Sequence, residues 1–352
     1  MPTSTISFRN DYSEGAHPAI LEALARDNEV QEPGYGEDGS SQRAAELIRL
    51  SCQTPHAEVH LVSGGTQANL VVCCALLKPY ESIIAAETGH ICVHETGAIE
   101  ATGHKIHHLP HHNGRITPDQ IRDLVQTHVG EHMVRPRLVY LSQSTELGTV
   151  YSRKDLTAIS QTCRELQLYL FLDGARLGSA LTSGASDLSL ADIAQLVDAL
   201  YIGGTKNGAL FGEAIVLCSP LLFPFFRHHL KQRGALLAKS RVLGAQFEAL
   251  FTNGLFMTLG QHANRMAMAL TSGIRELGFR FAYEPTTNQI FPIFPKPIVT
   301  ELSSNFSFYV WSPYDTDSDV VRLVTSWATT EASVEAFITQ LRSAVGHPRS
   351  AG

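Results

Sequence analysis

The chain has 352 residues, 44% hydrophobic and 17% charged, with a formal net charge of −7. That is long for one domain at roughly 100–200 residues each and ample for a large core, while a pI near 6.1 argues against nucleic acid or an anionic membrane surface as a main partner. No apolar run approaches the ~18 residues of a membrane helix, Met1-Pro2-Thr3-Ser4-Thr5 carries no basic-then-apolar signal, and six cysteines without a CxxC motif read as reduced thiols, so a cytoplasmic protein is expected.

Residues 7–16 are polar and turn-rich, and a helix is expected from Pro18 over 19–27. Residues 32–40 hold three glycines and Tyr35; they read as a loop that either lines a site or merely connects. A helix over 41–51 puts Ala44, Ala45, Leu47 and Ile48 on one face. The chain then alternates: strand 59–62, helix 66–77, strands 82–86 and 105–109. Thr117-Pro118-Asp119-Gln120 is a capping-box start for a helix to about 129. Strand 137–141 follows, then helix 152–167 with Ser152 as N-cap, the all-apolar strand 168–172 and strand 198–202. This rhythm predicts a mostly parallel sheet covered by helices on both faces, with functional residues at the carboxyl ends of its strands. Beyond 217 the expected order is long helical stretches (221–251, 261–277), short strands (280–283, 289–294, 306–311, 320–326) and a helix over 330–345. The expected division is a large α/β domain over 15–240 and a smaller α+β domain over 241–352, joined by the N-terminal residues 1–14.

Three strand ends carry chemistry. In Val62-Ser63-Gly64-Gly65-Thr66, glycines and a helix start suit a phosphate, or simply form a turn with Thr66 as helix N-cap. It is not a P-loop, since no Gly-Lys-Ser/Thr follows. In Leu172-Asp173-Gly174-Ala175-Arg176, an Asp ends an apolar strand and needs a partner if buried. A protonated pyridine nitrogen is one; a salt bridge to Arg176 or a helix cap is another. In Gly203-Gly204-Thr205-Lys206-Asn207, a lysine stands between two strands, where burial lowers its pKa and favours the nucleophilic amine; alone it also reads as a loop lysine. In this order the three match pyridoxal 5′-phosphate: phosphate anchored at Gly65 and Thr66, ring nitrogen on Asp173, Schiff base on Lys206. A competing reading is a metal site in His104–His112, five histidines in nine residues. No Cys, Asp or Glu accompanies them and a strand splits them between two faces, so no metal is expected.

The chain resembles the threonine aldolase and β-eliminating lyase family of fold-type I pyridoxal-phosphate enzymes. The resemblance lies in Tyr35-Gly36-Glu37-Asp38, Ser63-Gly64-Gly65-Thr66-Gln67-Ala68-Asn69, the stretch His90 to Ala98, Asp173-Gly174-Ala175-Arg176, Gly203-Gly204-Thr205-Lys206-Asn207 and Arg322-Leu323-Val324-Thr325-Ser326-Trp327, and covers nearly the whole chain. It implies that Lys206 holds the cofactor, Asp173 its ring nitrogen, and Gly65 and Thr66 its phosphate. It also implies that His90 stacks on the ring and that Arg176 and Arg322 bind the substrate carboxylate. Homodimers or homotetramers with interfacial sites are implied too, so that Tyr35 reaches a neighbour's site. Arg233 and Lys239 are either cross-subunit phosphate contacts or surface charge. Where many members of the family carry Glu-Asn-Thr-His, this chain has Gln143-Ser144-Thr145-Glu146, so the histidine near the substrate β-hydroxyl is missing. Either His94 or a water beside His90 is the stand-in, or the substrate range differs. Glu95 is either a partner of a site histidine or a surface carboxylate. The implied reaction is cleavage of L-threonine or L-allo-threonine to glycine and an aldehyde. The alternative is another reaction of the same cofactor on amino acids: racemisation, β-elimination or transamination.

Overall fold

Continuous apolar runs make the centre of the molecule. The computed structural model describes residues 5–26 and 28–346; residues 1–4 of the N-terminal arm, Asp27 at the expected end of the first helix, and the tail 347–352 lie outside them. After a short strand β1 (Ile6–Ser7), seven strands form one sheet: β2 (Glu58–Val62), β3 (Glu81–Ala86), β4 (Ile106–Leu109), β5 (Arg135–Ser142), β6 (Tyr169–Gly174), β7 (Ala199–Gly203) and β8 (Glu213–Leu217). Their order is β2-β8-β7-β6-β5-β3-β4. Only β8 runs against the rest, antiparallel to both β7 and β2. Every residue of β3, β7 and β8 is buried, as expected for strands covered on both faces.

Side chains alternate across the sheet, so each strand feeds two cores. Leu141, Leu172, Ile202 and Val216 face one core, shared with the helices Gly39–Cys52, Arg153–Glu165 and Leu190–Leu196. Tyr140, Phe171, Tyr201 and Ile215 face the other, shared with Gly65–Leu76. Local signals start the helices where expected. Thr117 and Gln120 form a reciprocal capping box with Pro118 at the first turn, and Ser152 with Asp155 forms another.

The C-terminal part has its own small sheet. Here β9 (Gln289–Ile290), β10 (Ile293–Pro295) and β12 (Tyr309–Pro313) all pair antiparallel with β13 (Ser318–Val324). A third core of Phe8, Leu270, Phe294, Val321 and Phe337 fills it. β1 pairs in parallel with β11 (Phe306–Ser307), and Val324 N donates to Phe8 O at 2.8 Å. These bonds carry the next residues, Asn10 to Tyr12, to the rim of the large sheet.

Several expected elements differ. The stretch 221–251 is not continuous. It is a 3₁₀ turn (Pro220–Leu222) and two helices, Phe226–Gln232 and Arg241–Phe251. Gly234 at φ +68° turns the chain between the helices, and only glycine adopts that conformation without cost. Residues 280–283 form no strand beyond a single bridge, Phe281 to Pro292. The expected strand 289–294 is split at Phe291-Pro292, where proline lacks the N–H a ladder needs. The helices Leu177–Leu181 and Lys296–Leu302 are additional.

Phe171 is fully buried, its ring between Tyr140 (5.9 Å) and Tyr201 (6.3 Å). Phe171→Ala should destabilise the fold by about 3–5 kcal/mol through lost burial and the cavity left behind. Urea unfolding of the two proteins checks this.

Candidate active site

The carboxyl ends of β5, β6 and β7 stand side by side. Ser142 pairs with Asp173, and Asp173 with Tyr201. The strands come close enough that a Cβ on Gly174 would lie 2.1 Å from Tyr201 O. Above them opens a cavity of about 350 Å³ whose wall includes Gly65, Thr66, His90, Glu146, Asp173, Arg176, Lys206 and Glu213.

Asp173 is 3% exposed. Its Oδ1 accepts from Tyr201 OH (2.5 Å) and Ala175 N (3.0 Å). Its Oδ2 accepts from Tyr140 OH and, at 3.4 Å, from Asn69 Nδ2. Burial, and then the Asp173 charge, push both phenols well above their ordinary pKa. They therefore stay protonated and act as donors. Among the described residues no Arg, Lys or His forms an ion pair with Asp173.

Lys206 follows β7 on the cavity wall. Burial, then the Arg176 charge, lower its pKa, against the pull of Asp11, Asp173 and Glu213. The uncharged, nucleophilic amine is favoured. Its neighbour Glu213 accepts from Gly204 N at 2.9 Å and is pushed up by burial to about 8. Opposite, helix Gly65–Leu76 starts from Gly64 without a side-chain cap, leaving first-turn N–H groups open to an anion. These residues fit pyridoxal 5′-phosphate. The uncapped helix start suits the phosphate, the cation-free buried carboxylate suits a protonated ring nitrogen, and the lowered-pKa lysine suits the aldehyde.

Arg176 is held by Asp11, with Nε to Oδ2 at 2.7 Å and Nη2 to Oδ1 at 2.9 Å. Asn288 Nδ2 donates to the same Oδ2 at 2.9 Å. Burial disfavours the Asp11 charge, but Arg176 and Lys206 outweigh it and hold the carboxyl below its ordinary range. Arg322, on β13, lies over the rings of Tyr309 (4.9 Å) and Trp311 (5.1 Å). Its Nε is buried without a partner, and burial, followed by Arg176, lowers its pKa. Arg322 is thus electrostatically coupled to Arg176 and has unfilled donor capacity.

On the opposite wall His90 Nδ1 meets Glu95 Oε1 at 2.8 Å, and Asn69 Nδ2 donates to the same oxygen at 2.7 Å. Glu95 is 6% exposed, so it is a partner of the site histidine and not a surface carboxylate. His94 stands 5.5 Å from His90, ring to ring, and does not line the cavity. Burial, then His90, lower its pKa. Glu146 Oε1 accepts from Ser142 Oγ (2.6 Å) and His90 N (2.9 Å).

The structure thus brings Gly65, Thr66, His90, Asp173, Arg176 and Lys206 into one cavity, with His94 and Arg322 coupled to it. It does not bring Tyr35. That residue lines a separate cavity with His60, Arg227 and Ser240, its ring 4.8 Å from Lys231 Nζ. The histidines of 104–112 disperse. His104 meets Glu81 O and His107 meets Ser82 Oγ, and among the described residues no group of three or more His, Cys, Asp or Glu could hold a metal. Asp11, Tyr140, Tyr201, Glu146 and Glu213 escaped the sequence reading. The two tyrosines left a signal, since a phenol in an otherwise apolar buried strand needs a partner.

The family model described as beta-eliminating lyase matches residues 8–295. The low specificity L-threonine aldolase of Pseudomonas sp. (strain NCIMB 10558) is 33% identical over 348 residues, 97% of this chain and 99% of that protein. The low specificity L-threonine aldolase of Pseudomonas aeruginosa is 33% identical over 351 residues, 98% of this chain and all of that one. A solved structure of threonine aldolase from Leishmania major superposes with a TM-score of 0.95 at 48% identity, covering 97% of this chain and 99% of that one.

Asp11→Asn should leave Arg176 buried without its counter-charge and destabilise the protein by about 3–5 kcal/mol. The Asp11 carboxyl titrates below its ordinary 3.8 when folded. Its contribution is therefore complete above that value and is lost as pH falls through the lower, folded one. Thermal melts across the acid range should show the wild type losing this increment and the variant lacking it.

Proposed function

The chain belongs to the beta-eliminating lyase family, and from that premise we propose that it cleaves the Cα–Cβ bond of β-hydroxy-α-amino acids, L-threonine and L-allo-threonine among them, to glycine and an aldehyde. The fold is that of fold-type I pyridoxal-phosphate enzymes, and pyridoxal 5′-phosphate is the cofactor. The observation that carries the reading is one cavity shared by a lowered-pKa lysine, a buried carboxylate without a cation, and an uncapped helix start.

When bound, the cofactor supplies an aldehyde that condenses with amines and a protonated ring that accepts an electron pair. In our reading the chain supplies placement and charge. Asp173, its oxygens met by four donors, would pair with the ring nitrogen. Gly65 and Thr66 hold the phosphate. Lys206 would hold the aldehyde carbon, and His90, fixed by Glu95, would pack on the ring. Arg176 and Arg322 grip the substrate carboxylate, Arg176 aimed by Asp11. Gripping the carboxylate fixes rotation about the Cα–N bond and selects Cα–Cβ as the bond to break; such orientation supplies several kcal/mol of a barrier. A group on the His90 wall must accept the β-hydroxyl proton. His94 does not line the cavity.

We further place the protein in homodimers or homotetramers, with Tyr35 contributing to a neighbour's site. The division at 15–240 and 241–352 stays our assignment of domains. Among the described residues no helix is long and apolar enough to cross a membrane; all six cysteines are unpaired, which supports a reducing, cytoplasmic location.

Racemisation, β-elimination and transamination would use Lys206 and Asp173 as well, so the test is product analysis. Glycine and acetaldehyde should form from L-threonine, with alanine racemisation slower. Lys206→Ala should abolish cleavage and the cofactor's visible absorption band. A band retained in that variant would remove Lys206 from its role, and alanine racemisation exceeding threonine cleavage would overturn the aldolase reading.

A further inference from the structure

Three carboxyl side chains stand on the cavity wall, and two are committed. Asp173 has both oxygens filled by donors. Glu213 is tied to Gly204 N beside Lys206. Glu146 is different. Its Oε1 takes two hydrogen bonds, from Ser142 Oγ at 2.6 Å and His90 N at 2.9 Å. No other described residue donates to Oε2, and no described cation lies within ion-pair distance. Two donors on one oxygen fix the orientation of the carboxyl and leave the other oxygen free. The bond to His90 N also fixes where it stands. Glu146 adjoins His90, the residue whose ring is held by Glu95.

We propose that Glu146 is the proton-transfer group for the substrate β-hydroxyl. The assignment rests on the aldolase reading and completes it. As the bond breaks, the hydroxyl O–H bond is broken and its proton passes to Oε2. The freed pair on oxygen becomes the second bond of the aldehyde C=O. The Cα–Cβ pair stays with the glycine fragment, where the cofactor's electron-accepting chemistry takes it up. In the reverse direction the carboxyl returns the proton to the aldehyde oxygen. Burial raises the pKa of Glu146 above its ordinary 4.5, against hydrogen bonds from Ser142 Oγ, its own backbone N–H and His90 N. A base so raised is better matched to work near neutrality. The charged or titratable neighbours that share its field are Asp173, Tyr140, Tyr151, Cys92 and Arg176.

Glu146→Gln keeps an oxygen for Ser142 and His90 but cannot take a proton. Threonine cleavage should fall about 10²–10⁴-fold, the usual worth of a general base. Exchange of the glycine α-hydrogen into heavy water needs the cofactor and Lys206 but no β-hydroxyl; it should stay at the wild-type rate. The cofactor's visible band should also be unchanged. In the cofactor-free protein, a wild-type-minus-variant infrared difference spectrum should show a carboxyl band titrating above 4.5, the ordinary value. Glu146→Asp, which keeps a carboxyl but withdraws it, should lower cleavage less and also spare exchange; it serves if the Gln variant fails to fold. Equal loss of cleavage and exchange would reduce Glu146 to a prop for His90 and overturn the proposal. So would cleavage kept within about tenfold of wild type, or absence of the infrared band. A wild type that exchanges glycine but releases no aldehyde from L-threonine would overturn the aldolase reading itself, and would be told apart by that control.

Discussion

A carboxylate buried without a cation is costly, and Asp173 is the place where the sheet answers that cost. Taking an ion of this size out of water carries an effective penalty of several kcal/mol even after relaxation. Two phenols, an amide side chain and a backbone N–H meet it. Neighbouring strands at fixed register make this arrangement possible. Tyr140 on β5 and Tyr201 on β7 lie on the same face as Asp173, one strand to each side. Donors stabilise the ionised form as a cation would. They leave its charge uncancelled, so the site keeps a negative pole that a protonated ring can complete.

The rest of the site balances around that pole. Lys206 and Arg322 both lie in the field of Arg176. Arg176 depresses both Lys206 and Arg322, while Asp11 binds Arg176 through two parallel hydrogen bonds. Bidentate pairing gives direction as well as charge. Lys206 has no such partner and is the cation that yields its proton. Asp11 thus keeps the guanidinium charged, while burial and Arg176 keep the amine reactive within the same cavity.

Much of this was legible because it is local. A buried parallel strand shows as an unbroken apolar run, and its carboxyl end shows as the first polar residue after it; Asp173 follows that pattern, and Lys206 comes one residue after Thr205, the first polar residue beyond β7. The capping boxes at Thr117 and Ser152 are complete within four residues. What escaped is long-range. Asp11 looks like one more polar residue in a turn-rich arm, and only the pairing of β1 with β11, some 300 positions later, brings it to Arg176. Tyr140 and Tyr201 look like core residues, which they also are. Glu146 sits where the resemblance led one to look for a histidine, and its absence drew attention to His94. The helical reading of 221–251 followed hydrophobic periodicity through Pro224 and Gly234, which break it.

The pairing of the arm has an implication for how the protein is made. β1 leaves the ribosome some 300 residues ahead of its partner strand β11. During translation Asp11 therefore has no fixed position, and Arg176 has no counter-ion, until residues beyond 306 are out of the exit tunnel. The large sheet can assemble on the nascent chain by then, but with an unfinished pocket. Completion of the active site thus coincides with release of the C-terminal sheet, so a truncated or stalled product is catalytically silent by construction.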